Sequence, residues 1–85
     1  MRRSIDDDPQ SPDAIPPGVD DAVAMTWAVA ISDDYDDAEP RVVLTIEEVG
    51  HAGAGFVAHL DGAQARRLRL ALRDALREIG ADPGE

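Results

Sequence analysis

DGAQARRLRLALRDALREIG, residues 61–80, predicts one amphipathic helix, and the rest of the fold follows from what that helix must cover. Asp61 is a good N-cap, and Gln64 stands three residues later, in the arrangement of a capping box. Gly80 marks the end of the helix, and Pro83 prevents it from resuming. The apolar residues recur at three- and four-residue spacing and form one stripe, which consists of Ala65, Leu68, Leu72, Ala75, Leu76 and Ile79. This stripe needs an apolar surface to pack against.

Three segments upstream of the helix have strand patterns. VAMTWAVAIS, residues 23–32, alternates large apolar residues with alanine and threonine, and a period of two is that of a strand. Because alanine also favours helices, a helix is the competing interpretation of this segment. RVVLTIEEVG, residues 41–50, is rich in β-branched residues, and FVAHL, residues 56–60, reads as a third short strand. Short polar links between them favour an antiparallel meander.

These elements predict an α+β fold: a three-stranded antiparallel β-meander followed by one C-terminal α-helix packed on one sheet face. The β-β-β-α domain is expected over residues 19–81. Residues 1–18 are rich in proline and acid and poor in large apolar groups, so we expect a disordered acidic tail there. Residues 82–85 are expected to form a short C-terminal tail.

Composition narrows the function classes. A chain of 85 residues is one domain, and the absence of cysteine excludes disulfides, thiolate metal sites and cysteine nucleophiles. No apolar run approaches the ~20 residues of a membrane span. Acid and proline follow the first residues, where a signal peptide needs an apolar stretch. We therefore expect a soluble cytoplasmic protein with no membrane partner.

Charge is segregated along the chain, whose formal net charge is −10. The acidic residues concentrate in the first 40 positions, whereas four arginines of the helix form one band beside its apolar stripe: Arg66, Arg69, Arg73 and Arg77. Leu70 falls near the middle of the polar face. The band could be a solvated helix face, or the acidic tail or the 33–39 loop could cover it. It could also bind a protein partner, with Leu70 as an apolar anchor. Nucleic acid is disfavoured by the 18 carboxylates and the few aromatic residues.

The sheet face opposite the helix is expected to be small, flat and apolar. If the helix covers the face that contains Trp27, the other face presents Ala24, Thr26, Ala28, Ala30, Val43, Thr45, Val57 and His59. A contiguous patch of this kind suggests association. The hypothesis is a symmetric homodimer through this face or through a sheet edge, with a monomer as the alternative. The candidate interaction surface therefore consists of the four band arginines, Leu70, Ala28, Thr45, Val57 and His59.

The candidates for chemistry are weak, so we expect no catalytic residue, no cofactor and no metal. The acidic 33–39 segment lacks the spacing of a calcium loop, and GHAGAG, residues 50–55, lacks the lysine of a phosphate loop. His59 and Asp61 could orient a general base, but no serine stands in a G-x-S-x-G setting. The sequence favours a small, acidic, non-enzymatic interaction or accessory module that self-associates and could bind an unidentified protein. The alternative is an acidic inhibitor or nucleic-acid mimic that binds a basic, DNA-binding protein.

Overall fold

The computed structural model describes residues 1–9, 15–19, 23–51 and 53–84. The chain is α+β, with an antiparallel four-stranded open sheet and one C-terminal helix. The strands follow the order of the sequence, so each pairs with the next one along the chain. The elements are β1 (Arg2–Pro9), β2 (Met25–Ser32), β3 (Arg41–Glu48), β4 (Phe56–Leu60) and α1 (Gly62–Glu78).

The prediction of three strands is wrong by one, because β1 forms in the segment assigned to the tail. β1 pairs antiparallel with β2 from Arg2, opposite Ser32, to Pro9, opposite Thr26, with a register shift near Ser4. Aspartate and proline are poor strand formers, but an edge strand can keep its charged side chains in water. Residues 10–14 of the predicted tail and 20–22 of the predicted domain lie outside the described residues.

Hydrogen bonds join the residue before β1 to the turn after β2. The ammonium group of Met1 donates to Asp33 Oδ1 and Asp34 Oδ1, each at 2.6 Å, and the backbone N–H of Asp33 donates to the Met1 carbonyl at 3.2 Å. The hydrogen bonds to Asp33 and then Asp34 raise the pKa of the ammonium, and the same ammonium lowers the pKa of Asp33. The contact is therefore complete when the ammonium is protonated and the carboxylate is ionised, and it weakens at both pH extremes.

The other three strands form as predicted, and their register separates large from small side chains. Directly opposed residues share a face of the sheet. One face, here the large face, carries Met25, Trp27, Val29, Ile31, Val42, Leu44, Ile46, Glu48, Phe56, Ala58 and Leu60. The other face, here the small face, carries Thr26, Ala28, Ala30, Ser32, Arg41, Val43, Thr45, Glu47, Val57 and His59. The period-two pattern of the sequence therefore corresponds to the two faces of the sheet in β2, β3 and β4.

Both ends of α1 are capped as predicted. The Gln64 N–H donates to Asp61 Oδ1 at 2.8 Å, and the Asp61 N–H donates to Gln64 Oε1 at 3.1 Å, which completes a capping box. At the other end Gly80 has a φ of 77°, and the N–H of Ala81 donates to the carbonyl of Leu76 at 2.9 Å. This geometry is that of a Schellman motif, so the helix ends where the glycine permits it.

The helix packs on the large face, as predicted, but it covers only part of it. Its apolar stripe faces Val29, Val42, Leu44 and Leu60 across a groove of about 350 Å³. Pro83, from the predicted C-terminal tail, also lines the groove, and residue 85 lies outside the described residues. The structure describes the whole of α1, and none of its residues is buried. The helix and sheet therefore do not close into a tight core.

Gly55 marks a close approach of backbone in the β3–β4 connection. A Cβ atom at this position would overlap the carbonyl oxygen of Ile46. We expect Gly55→Ala to lower the free energy of unfolding by roughly 1–3 kcal/mol, because backbone must move to admit the methyl group. Gly62→Ala is the matched control: a Cβ there meets nothing within 4 Å, and alanine favours the helix by up to about 1 kcal/mol.

Urea unfolding followed by circular dichroism, at one fixed protein concentration, compares the two variants. Equal stability of the Gly55→Ala and Gly62→Ala proteins would contradict the close approach at Gly55.

Candidate interaction surface

One row of the large face stays open. Trp27, Ile46 and Phe56 lie directly opposite one another on β2, β3 and β4, and we refer to them as the open row. Their side chains are 37 %, 42 % and 85 % exposed, respectively. The row lies at the end of the large face away from Leu60, and α1 begins beside Leu60. Three large apolar residues in register, all exposed, form a surface that favours contact with another apolar surface.

The apolar surface continues from the open row to the helix. The next row of the sheet places Val29 opposite Leu44, and both residues line the groove beneath α1. On the helix side of the groove Leu72 is 59 % exposed, and Ile79 beyond it is 77 % exposed. The open row, the groove and the exposed part of the helical stripe therefore lie on the same side of the sheet.

The buried apolar side chains are on the other face. Among the described residues only Ala30 and Val43 are buried apolar residues, and both belong to the small face. The chain exposes 6611 Å², whereas a compact monomer of its mass exposes about 4,900 Å². Its radius of gyration is 15.0 Å, against roughly 12 Å for a compact chain of this length. The chain is therefore more extended than a compact domain of its mass.

The structure divides the predicted arginine band. Arg69 and Arg73 line the groove, and the Nε and Nη2 atoms of Arg73 donate to Asp74 Oδ1 at 3.2 and 3.1 Å. Arg66 and Arg77 are exposed and lie outside the groove. Leu70, predicted as an apolar anchor between the arginines, is half-buried and also lies outside the groove.

The small-face candidates are brought together as the alternation predicts. Ala28, Thr45 and Val57 lie opposite one another on three strands, and His59 lies in the next row, opposite Val43. The fourth strand changes the character of this face, because β1 places Asp7 opposite Ala28. The small face therefore has an aspartate at its β1 edge, in addition to Glu47 opposite Thr26.

Tyr35 holds His59 on the small face, a contact that the sequence analysis missed. The Tyr35 hydroxyl lies 2.9 Å from His59 Nδ1, and the two rings meet edge to face with centroids 5.5 Å apart. The guanidinium of Arg41 lies 4.7 Å from the centroid of the Tyr35 ring. Asp61 instead accepts the capping hydrogen bond of α1, so the structure gives no His59–Asp61 pair. The sequence signal was a single aromatic residue within an acidic turn, the composition of which indicates only a turn.

An ion pair with two hydrogen bonds joins the same turn to the first residue of β3. Arg41 donates from Nη1 to Asp37 Oδ1 at 3.0 Å and from Nη2 to Asp37 Oδ2 at 2.8 Å. These hydrogen bonds, with a further one from the Glu39 N–H, lower the pKa of Asp37 to about 2. The pair raises the pKa of Arg41 in turn. The described residues include no group of three or more His, Asp or Glu side chains that could hold a metal ion.

The comparisons add no relative to this picture. No protein-family model matches the chain, and neither the curated proteins nor the solved structures give a match. Within the described parts of the chain no helix is both long and apolar enough to cross a membrane. The features that bear on function are therefore the exposed apolar surface and the placement of the charges.

The Asp37–Arg41 pair predicts a pH dependence at the acid end. Asp37 has a folded pKa below its unfolded value, so its contribution is complete above about pH 4 and is lost as the pH falls through about 2. Arg41→Gln should raise the carboxylate midpoint toward the ordinary range, and the hydrogen bond from the Glu39 N–H should keep it from a full return. A ¹³C NMR titration of the Asp37 carboxyl measures this midpoint, and Arg73→Gln is the control. An Asp37 midpoint that is the same in the wild type and in Arg41→Gln would show that the Asp37–Arg41 pair is not formed.

Proposed function

We propose that this chain is a small, non-enzymatic protein-interaction module that works as a homodimer, with the large face at the dimer interface. One observation carries the proposal: Trp27, Ile46 and Phe56 are aligned and exposed on a face that α1 leaves uncovered. Exposed apolar rows of this size are costly in water and gain free energy when another apolar surface covers them.

The chain exposes enough surface for a second copy to cover part of it. The chain exposes roughly 1,700 Å² more than a compact monomer of its mass. A standard protein interface takes about 800 Å² from each partner, and obligate homodimers take more. This excess is summed over the whole chain, and the open row and the groove are the apolar part of it that a second copy would cover.

Charge also favours the large face. Two chains that each carry −10 repel one another unless they meet where charges are few. In the rows from Trp27 to Leu60, the fully described strands β2, β3 and β4 place no charged side chain on the large face. A charge-depleted centre with polar surroundings is the usual organisation of a protein interface.

Leu72→Glu and Val57→Glu test which face forms the dimer. Their side chains are similarly exposed, at 59 % and 53 %, but Leu72 lies above the large face and Val57 lies on the small face. We expect Leu72→Glu to raise the dimer dissociation constant by roughly 100-fold, because a carboxylate would be buried without a partner. Val57→Glu should leave the dimer intact.

Light scattering after size-exclusion chromatography gives the mass of each variant at low and high salt. An apolar interface predicts a wild-type dimer that persists at high salt. A wild-type monomer at all concentrations would refute self-association, and a dimer lost only in Val57→Glu would assign the interface to the small face.

A second candidate function follows from β1. This strand carries Asp6, Asp7 and Asp8 at the edge of the sheet, so these carboxylates are held on a regular backbone. An acidic inhibitor or nucleic-acid mimic needs such a frame to bind a basic, DNA-binding protein. The candidate is a docking surface for a basic protein segment along β1.

A fluorescent decaarginine peptide is a direct probe of this second function. Replacing Asp6, Asp7 and Asp8 with Asn should weaken binding at least about tenfold and reduce its salt dependence. The matched control neutralises three other carboxylates: Asp74→Asn, Glu78→Gln and Asp82→Asn. Equal losses in the two triple variants would show that only net charge matters, which would contradict a docking edge at β1.

A further inference from the structure

We propose that the free edge of β4 is a second self-association site, at which β4 of one copy pairs antiparallel with β4 of another copy. The two four-stranded sheets then join into one. This contact lies at a sheet edge and is separate from the large face, so the inference goes beyond the proposed homodimer. It would link homodimers into larger assemblies.

The outer side of β4 is uncovered. β4 pairs with β3 alone, so alternate backbone N–H and C=O groups along its other side point away from the sheet. The sheet residues that line the groove beneath α1 are on β2 and β3, apart from Leu60 at the end of β4. The other residues of β4, 56–59, are all exposed. The main-chain groups along this edge are those that another β-strand satisfies.

The two edges of the sheet differ in how they are protected. Edge strands of soluble proteins avoid pairing with other chains by means of charged side chains, proline and irregular backbone. β1 has all three, since it carries two arginines and three aspartates, ends at Pro9 and shifts its register near Ser4. β4 has no Asp, Glu, Lys, Arg or Pro, and its pairing with β3 is regular. β4 is therefore the edge that is open to a further strand.

Charge and pattern favour a second copy as the occupant. Two chains of net charge −10 approach each other most easily where neither presents a carboxylate, and β4 is such a strand. A two-fold axis through Ala58 pairs all five residues of the strand, with Phe56 opposite the second copy's Leu60 and Val57 opposite its His59. The first pair lies on the large face and the second on the small face, so both faces continue from one sheet to the next.

The pairing covers the most exposed large apolar side chain of the described residues. Phe56 is 85 % exposed, and directly opposed side chains of an antiparallel pair contact each other. Five residues from each copy form a smaller contact than a standard interface, which takes about 800 Å² from each partner. Edge pairing should therefore need a higher protein concentration than the large-face dimer.

A single cysteine at the centre of β4 tests the pairing. The chain has no cysteine, so a disulfide in Ala58→Cys can only join two copies at this position. Opposed Cα atoms of an antiparallel pair lie about 4.5–5.5 Å apart, which a disulfide spans, whereas sheets packed face to face lie about 10 Å apart. The edge contact therefore permits the bridge, and packing through the large face does not.

Val57→Cys is the matched control. In the proposed register its two cysteines are offset along the strands and do not oppose each other, although Val57 is also exposed. After mild oxidation at rising protein concentration, non-reducing electrophoresis should show at least about tenfold more linked dimer for Ala58→Cys than for Val57→Cys. Equal linkage of the two variants, or no linkage of Ala58→Cys, would overturn the pairing.

The addition of Leu72→Glu separates this inference from the proposed homodimer. If both proposals hold, the Ala58→Cys protein with Leu72→Glu loses the large-face dimer and still forms the linked product. If only the edge pairing holds, Leu72→Glu changes neither the mass in light scattering nor the linkage. Linkage that disappears with Leu72→Glu would assign the contact at Ala58 to the large-face dimer and refute the edge pairing. Circular dichroism confirms that each variant is folded.

Discussion

The fold depends on the short link between β4 and α1. β4 ends at Leu60, Asp61 is the N-cap, and the helix begins at Gly62. The capping box fixes the direction in which the helix leaves the sheet, since Asp61 and Gln64 satisfy each other's backbone N–H groups. With no longer connection to reposition it, α1 covers the end of the large face near Leu60. The link therefore sets where α1 starts, and the open row lies at the opposite end of the large face from this point.

In a chain this small, each large apolar side chain left in water withholds burial that would stabilise the fold. Among the described residues the fully buried side chain is that of Val43, which lies on the small face between Ala30 and His59. The larger apolar residues of the other face are left for the groove and the open row. Small domains bury a low fraction of their surface, and the proposed second copy would add apolar burial at the large face.

The sequence predicts those elements in which a short-range pattern and the tertiary structure agree. The period-two alternation around Trp27 and the capping residues of α1 both act over a few neighbouring positions, and the structure confirms both. β1 was not predicted because its composition is unfavourable for a strand. Its pairing with β2 and the contact of Met1 with the turn after β2 hold it in place. Long-range pairing of this kind leaves no local pattern to read.

The sequence predicts which residues of the candidate surface share a face, but it does not predict how much of the large face the helix leaves exposed. The small-face row of Ala28, Thr45 and Val57 follows from alternation alone. How much of the large face the helix would leave open depends on where the helix axis lies, which no residue spacing specifies. The contact of Tyr35 with His59 joins positions 24 residues apart, with the whole of β3 between them, so no local pattern predicts it.

The position of Trp27 has a practical consequence for spectroscopy. It is the only tryptophan in the chain, and it lies in the open row with 37 % of its side chain exposed. Its indole emission therefore reports the polarity of that row alone, without a label and without interference from a second indole. Whatever covers the row will displace water from this ring, so the wavelength of the emission maximum is an intrinsic gauge of occupancy.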